Sequence, residues 1–234
     1  IWRLIALTAV LFVRKNVKVE NAKNELSYRG ILNQRSFILY FIPWMMFGLV
    51  GYLTTPVQQN VLDPATFANL QLLENAFMGI FAFVGGVFMD SVGRKRLAII
   101  GFAMLGLSYS FLGFVSTTPV WYVHMVMNGI SWGILYTLFV TTIWGDLSYE
   151  APSDKLYALG VSPFFISKML QLTINSQIVA AVPITAIFSF AALFLFLAVL
   201  PLIYAPETLP EKKMRERELR DYVERAKKTK EKYA

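Results

Sequence analysis

Gly86-Val87-Phe88-Met89-Asp90-Ser91-Val92-Gly93-Arg94-Lys95-Arg96 separates two apolar blocks, Leu72–Met89 and Leu97–Val115. Each block comes close to the about 20 residues that a helix needs to cross about 30 Å of hydrocarbon. The connection between the two helices is tight. Gly93 permits a tight turn, and Asp90 stands where a carboxylate can meet helix amides or the arginines. Three consecutive cations hold the loop on the cytoplasmic side of a membrane.

Outward from this loop the pattern repeats. Phe37–Val57 and Trp121–Trp144 are further spans, and the fifty-residue run Leu156–Ala205 divides into Leu156–Ile178 and Ile184–Tyr204 around a hairpin at Val182–Pro183. Pro43 and Pro56 fall inside the first of these, where membrane helices tolerate them. Gly48 and Gly51, Gly85 and Gly86, Gly106 and Gly113, and Gly129 and Gly133 supply small faces for close helix packing. Of the 234 residues, 56% are apolar and 16% charged, against about 45–50% and about 25% in soluble domains. A disordered chain, a collagen-like chain and a soluble enzyme are excluded on that ground. There is no cysteine, and His124 is the single histidine. Thiolate chemistry and multi-histidine metal sites are thereby absent, no cofactor is expected, and no nucleophile–base pair points to an enzyme.

The basic residues alternate from one side to the other. Arg14, Lys15, Lys18, Lys23, Arg29 and Arg35 precede the first full span; Val57–Gln71 carries none. Arg94–Arg96 come next, Ser116–Pro119 carries none, Lys155 follows, the hairpin is empty, and the remaining cations lie beyond Tyr204. Of the 22 Lys and Arg only Arg3 and Lys168 fall outside this scheme. The positive-inside rule then assigns the basic stretches to the cytoplasm. The net charge of +7 is topological, and nucleic acid is not an expected partner. Residues 1–13 are apolar but too short to span and read as the end of a truncated membrane helix. Residues 14–35 read as a cytoplasmic central loop, 36–205 as a six-helix membrane bundle, and 206–234 as a charged cytoplasmic tail. In that tail Met214, Leu219, Tyr222 and Val223 form a thin apolar stripe.

The motif Gly86…Asp90…Gly93-Arg94-Lys95-Arg96 between two spans resembles the signature loop of the major facilitator superfamily. That loop joins helices two and three and recurs between helices eight and nine. Pro206-Glu207-Thr208, directly after the last span, resembles the element ending the last helix of the sugar-porter branch. Trp144-Gly145-Asp146-Leu147 resembles that branch's acidic residue at the end of helix ten. The resemblance implies an all-α integral membrane protein: the C-terminal half of a twelve-helix fold, comprising helices seven to twelve with the end of helix six. It further implies a cytoplasmic gate in which Arg94, Lys95 or Arg96 meets Asp146 or Glu207. In sugar porters paired glutamines sit mid-way along helix seven; here Gln58 and Gln59 lie past its outer end.

Polar side chains inside spans are costly and usually functional. Lys168 lies near the midplane, with Gln171 and Asn175 on the same helical face, and these three are candidates for a solute-facing wall. Glu74, about one turn inside its span, is a candidate proton-coupling carboxylate. His124, one turn inside the next-but-one span, and Asn128, a turn deeper, are further candidates, as is Trp44 for stacking. The reading is half of a secondary transporter working by alternating access, with proton-coupled symport open and a small solute, anionic or sugar-like, as cargo. The expected partners are the bilayer and an N-terminal six-helix half, the plasma membrane the expected location. The alternative is a transporter-like sensor or scaffold that binds solute without moving it.

Overall fold

The computed structural model describes residues 27–148, 153–208, 219 and 222. A short helix α1 (Tyr28–Leu32) leads into α2 (Arg35–Val61), α3 (Pro64–Val92) and α4 (Arg94–Phe114). α5 (Thr118–Thr137) continues through a π-helical turn, Leu138–Ile143, into α6 (Trp144–Leu147). α7 (Ser153–Ala181) and α8 (Ile184–Tyr204) complete an all-helical bundle. The expected segments 1–13 and most of 14–35 and 206–234 lie outside the described residues; Leu219 and Tyr222 are helical and exposed.

Among the described residues five helices are long and apolar enough to cross a membrane: α2, α3, α4, the continuous α5–α6 rod, and α8. Six spans were expected. α7 has the length, 29 residues, but Asp154, Lys155, Lys168, Gln171 and Asn175 dilute its apolar character. The elements extend beyond the expected blocks where capping residues set the ends. α3 starts eight residues before Leu72 because Asp63 caps it, accepting from the Thr66 amide at 3.0 Å, with Pro64 at the first helical position.

Prolines inside the spans free the carbonyl four residues earlier, and side chains take up two of them. Pro56 leaves the Tyr52 carbonyl to accept from Gln171 Nε2 at 2.7 Å. Pro163 leaves the Leu159 carbonyl to accept from Ser162 Oγ at 2.6 Å. In an apolar surrounding an unpaired backbone group costs several kcal/mol, and these bonds give the freed carbonyls of α2 and α7 a partner.

α3 packs along α5, α4 along α5 and α8, and α2 along α8 and α7. Glycines set the closest approach. A Cβ on Gly133 would stand 2.8 Å from the Ala82 amide nitrogen, and one on Gly85 3.3 Å from Ile134 Cα. The core sits between α2, α4, α5 and α8, built on stacked aromatics: Trp44 lies on Phe139 (4.7 Å) and Phe47 (5.0 Å), with Phe37 and Trp144 below. α3 and α7 are the outlying elements. They present Ile80, Phe83, Val87, Phe165, Met169 and Leu172 outward.

Candidate functional site

Two polar groupings stand out, one at the basic end of the bundle and one in its opposite half. At the basic end Gly93 joins α3 to α4 with φ +101°, a left-handed conformation that suits glycine. The turn aims the first amides of α4 at Glu207. Its carboxylate accepts from the Arg94 amide at 3.0 Å and from the Lys95 amide at 3.4 Å, where the helix dipole favours an anion. The Arg94 side chain, 8% exposed, is ion-paired with Asp146 on α6 and lies 3.9 Å from Asp90. Arg94 also donates to the Thr208 carbonyl at 3.4 Å, Lys95 Nζ to the Ile203 carbonyl at 2.6 Å, and the Tyr40 hydroxyl to the Pro206 carbonyl at 2.6 Å. Residues 206–208 are thus stitched across the ends of α2, α4 and α6. Arg96 is exposed, and Arg94 and Lys95 build the cluster. Gly86, nearly two turns inside α3, faces open space.

In the opposite half, α2, α3, α4 and α5 border a cavity of about 100 Å³. Glu74, Gln71 and Asn75 of α3, Gln58 and Thr55 of α2, Asn128 and Trp132 of α5, and Tyr109 of α4 line it. Asn128 Nδ2 donates to Glu74 Oε1 at 2.7 Å. Asn128 is 4% exposed, and among the described residues its Oδ1 has no hydrogen-bond partner. Glu74 therefore departs from the expectation of a carboxylate near the surface. With α3 starting at Pro64 it lies ten residues in, about 15 Å along the axis. Lys168 lies about 20 Å from the end of α7 at Ala181 on the same scale, so the two charges occupy similar depths.

His124 also differs from expectation. It is fully buried between α4 and α5, edge-on to Tyr109 and Trp121, and no wall of the cavity. Ser108 Oγ lies 2.7 Å from His124 Nδ1 and donates to the His124 carbonyl at 3.1 Å. The assignment satisfying both places the proton on Nδ1, so Nε2 accepts from Gln58 Nε2 at 3.4 Å. Gln58 was expected past the end of its helix. α2 runs on to Val61, so Gln58 is 5% exposed and reaches both histidine and cavity. Trp44 is fully buried, and its Nε1 donates to the Gly160 carbonyl at 2.7 Å. It is a core residue, since its ring is sandwiched between Phe47 and Phe139 and leaves no face for a solute.

Lys168 stands exposed on α7. Its Nζ donates to Gln171 Oε1 at 2.6 Å and lies 5.8 Å from the Tyr52 ring centroid. Asn175 is one turn further along α7, its side chain outside the described residues. The cavity and the Lys168–Gln171 pair meet through α2: Gly51 lines the cavity against the Trp132 ring, and its neighbour Tyr52 meets Gln171 and Lys168. Sequence reasoning missed Gln58, Gln71 and Tyr109. The Asp63-Pro64 cap was the signal that would have lengthened α3 and deepened Glu74; no comparable signal marks Tyr109, which is brought in by tertiary packing. Among the described residues no group of three His, Asp or Glu side chains suited to a metal ion is present.

No family model and no curated protein matches the chain. Among solved structures its fold is similar to that of the human organic anion transporter MFSD10 (TETRAN), a major facilitator superfamily transporter. The TM-score is 0.58 at 17% identity, over 81% of this chain and 50% of that one. The chain spans about half the length of that transporter. The likeness is one of fold, and it does not single out the sugar-porter branch.

Proposed function

We propose that the chain is the C-terminal half of a secondary transporter of the major facilitator type, moving a small organic anion by alternating access. The observation that carries the reading is the pairing of a half-transporter fold with a lysine at mid-depth on an exposed helix face. A lysine inside a span needs a counter-charge, hydration or loss of its proton. Among the described residues the company beside Lys168 is neutral, the Gln171 amide and the Tyr52 ring, so an anionic cargo is its natural complement. The fold neighbour's cargo class points the same way. Transporter sites of this kind lie near the bilayer midplane, between two repeats. An N-terminal six-helix half would supply the other wall.

In this reading the basic end faces the cytoplasm of the plasma membrane, as does the C-terminal tail. The Arg94–Asp146–Glu207 cluster acts as a latch that is formed when that side is closed and broken when it opens. Such a network biases the equilibrium only by the difference in its energy between the two states. The chemistry is binding and conformational change; the protein's own groups make and break no covalent bond in the solute. The test is uptake of a fluorescent organic anion by the intact protein in lipid vesicles. Saturable uptake is expected, with at least a tenfold loss in Lys168→Met. Uptake unchanged by that substitution would remove the anion-binding role, and binding without uptake would favour a sensor.

A further inference from the structure

We propose that Glu74 is a reversible proton-binding site and that Asn128 is its two-state partner, donating to the carboxylate and accepting from the carboxylic acid. Glu74 lies well inside a membrane-spanning helix, where a carboxylate without a cation is costly. Its hydrogen-bond donor is the neutral Asn128 amide at 2.7 Å. The residues lining the cavity around it include no lysine or arginine. α3 contributes Gln71 and Asn75, α2 contributes Gln58 and α4 the Tyr109 hydroxyl. His124 reaches this set through Gln58 and through its edge-on contact with Tyr109, and Lys168 stands beyond Tyr52.

The choice of partner is informative. A lysine or arginine against Glu74 would hold it permanently ionised. An asparagine amide has a donor end and an acceptor end, so it can serve the carboxylate with one and the carboxylic acid with both. With Glu74 ionised, Nδ2 donates to it at the distance found, and Oδ1 is left buried without a partner among the described residues. A buried orphaned acceptor is unfavourable by about 1–3 kcal/mol. When a proton from the cavity forms an O–H bond on Glu74 Oε2, that O–H can donate to Oδ1 while Nδ2 keeps donating to Oε1, so acid and amide close a two-bond pair. The orphaned acceptor in the ionised form is thus the group that the protonated form satisfies. A sodium ion fits less well, because it asks for several converging oxygens, whereas the Asn128 group now nearest the carboxylate is an N–H.

The role of this proton in coupling rests on the transporter reading; the proton site itself does not. It is tested without a solute, by infrared difference spectra of the intact protein in lipid between alkaline and acidic buffer. A carboxylic-acid C=O stretch band should grow on acidification, vanish in Glu74→Gln and shift in Asn128→Ala. A band of full amplitude in Glu74→Gln overturns the site, and one unshifted in Asn128→Ala overturns the partner. If Glu74→Gln does not fold, Glu74→Asp must move the band, and an unmoved band again overturns the proposal. A protein that passes these tests but shows no solute flux keeps the proton site and loses the transporter reading.

Discussion

Replacing Asp146 by asparagine should release the 206–208 segment from the ends of α4 and α6. The Arg94 and Asp146 side chains are 8% and 15% exposed, so their pair is nearer the buried limit than the surface one. Surface pairs are worth about 0–1 kcal/mol. Removing one member of a buried pair is unfavourable by about 3–5 kcal/mol, because it strands the other charge. Arg94 would keep Asp90, 3.9 Å away, and the Thr208 carbonyl, which favours the lower figure of about 3 kcal/mol. At 1.36 kcal/mol per decade that is about a hundredfold in the open population. The chain has no cysteine, so a single reporter can be placed without background. Ala205, 2% exposed beneath the stitched segment, suits Ala205→Cys. When opening and closing are fast relative to labelling, the maleimide rate follows the open population. Asp146→Asn should raise that rate about a hundredfold in this background. An unchanged rate would show that the ion pair does not hold the segment, and the latch would have to be abandoned.

Gly93→Ala forces a side chain into φ +101° and sets its Cβ 2.9 Å from Glu207 Oε2; thermal melting should report a loss of about 1–3 kcal/mol. Trp44→Phe keeps the aromatic stack but loses the donor to the Gly160 carbonyl; stability should fall by about 1–3 kcal/mol with the apparent affinity for solute unchanged, since the ring meets no solute. Hydrogen bonds from the Thr66 side chain and amide hold the Asp63 carboxyl below its usual range. A depressed folded value means that its stabilisation is present at neutral pH and lost as the pH falls through that value. Melting of Asp63→Asn should therefore flatten in the acid limb relative to the native protein, and an identical acid limb would remove the cap from the account.

What the sequence made legible was whatever rests on local composition. Long apolar blocks and alternating basic loops placed the helices, and the hairpin at Val182–Pro183 falls between α7 and α8 as expected. Ends were less legible, because capping is decided by two or three residues among many polar ones. Reading α3 from Leu72 in place of Pro64 put Glu74 at the surface and hid its likeness in depth to Lys168. Contacts between helices were not legible. Trp44 and Asn128 both lie on apolar spans with polar atoms to satisfy; one went into the core against Gly160 and the other onto a cavity. Nothing in their own neighbourhoods distinguishes them. The π-helical turn at Leu138–Ile143 likewise has no marker in its composition: it is an adjustment of backbone register in which Thr141 Oγ1 bonds back to the Thr137 carbonyl.

The central claim is that this chain belongs to a protein that carries an anion by exposing one site alternately to the two sides of a membrane. Counterflow tests it most directly. Vesicles holding the intact protein are loaded with unlabelled organic anion and diluted into a trace of the labelled one. The account predicts a transient accumulation of label above its equilibrium level, dependent on the internal load and lost in Lys168→Met. Label that enters without an overshoot and without dependence on the internal load, or that binds and never enters, would contradict it.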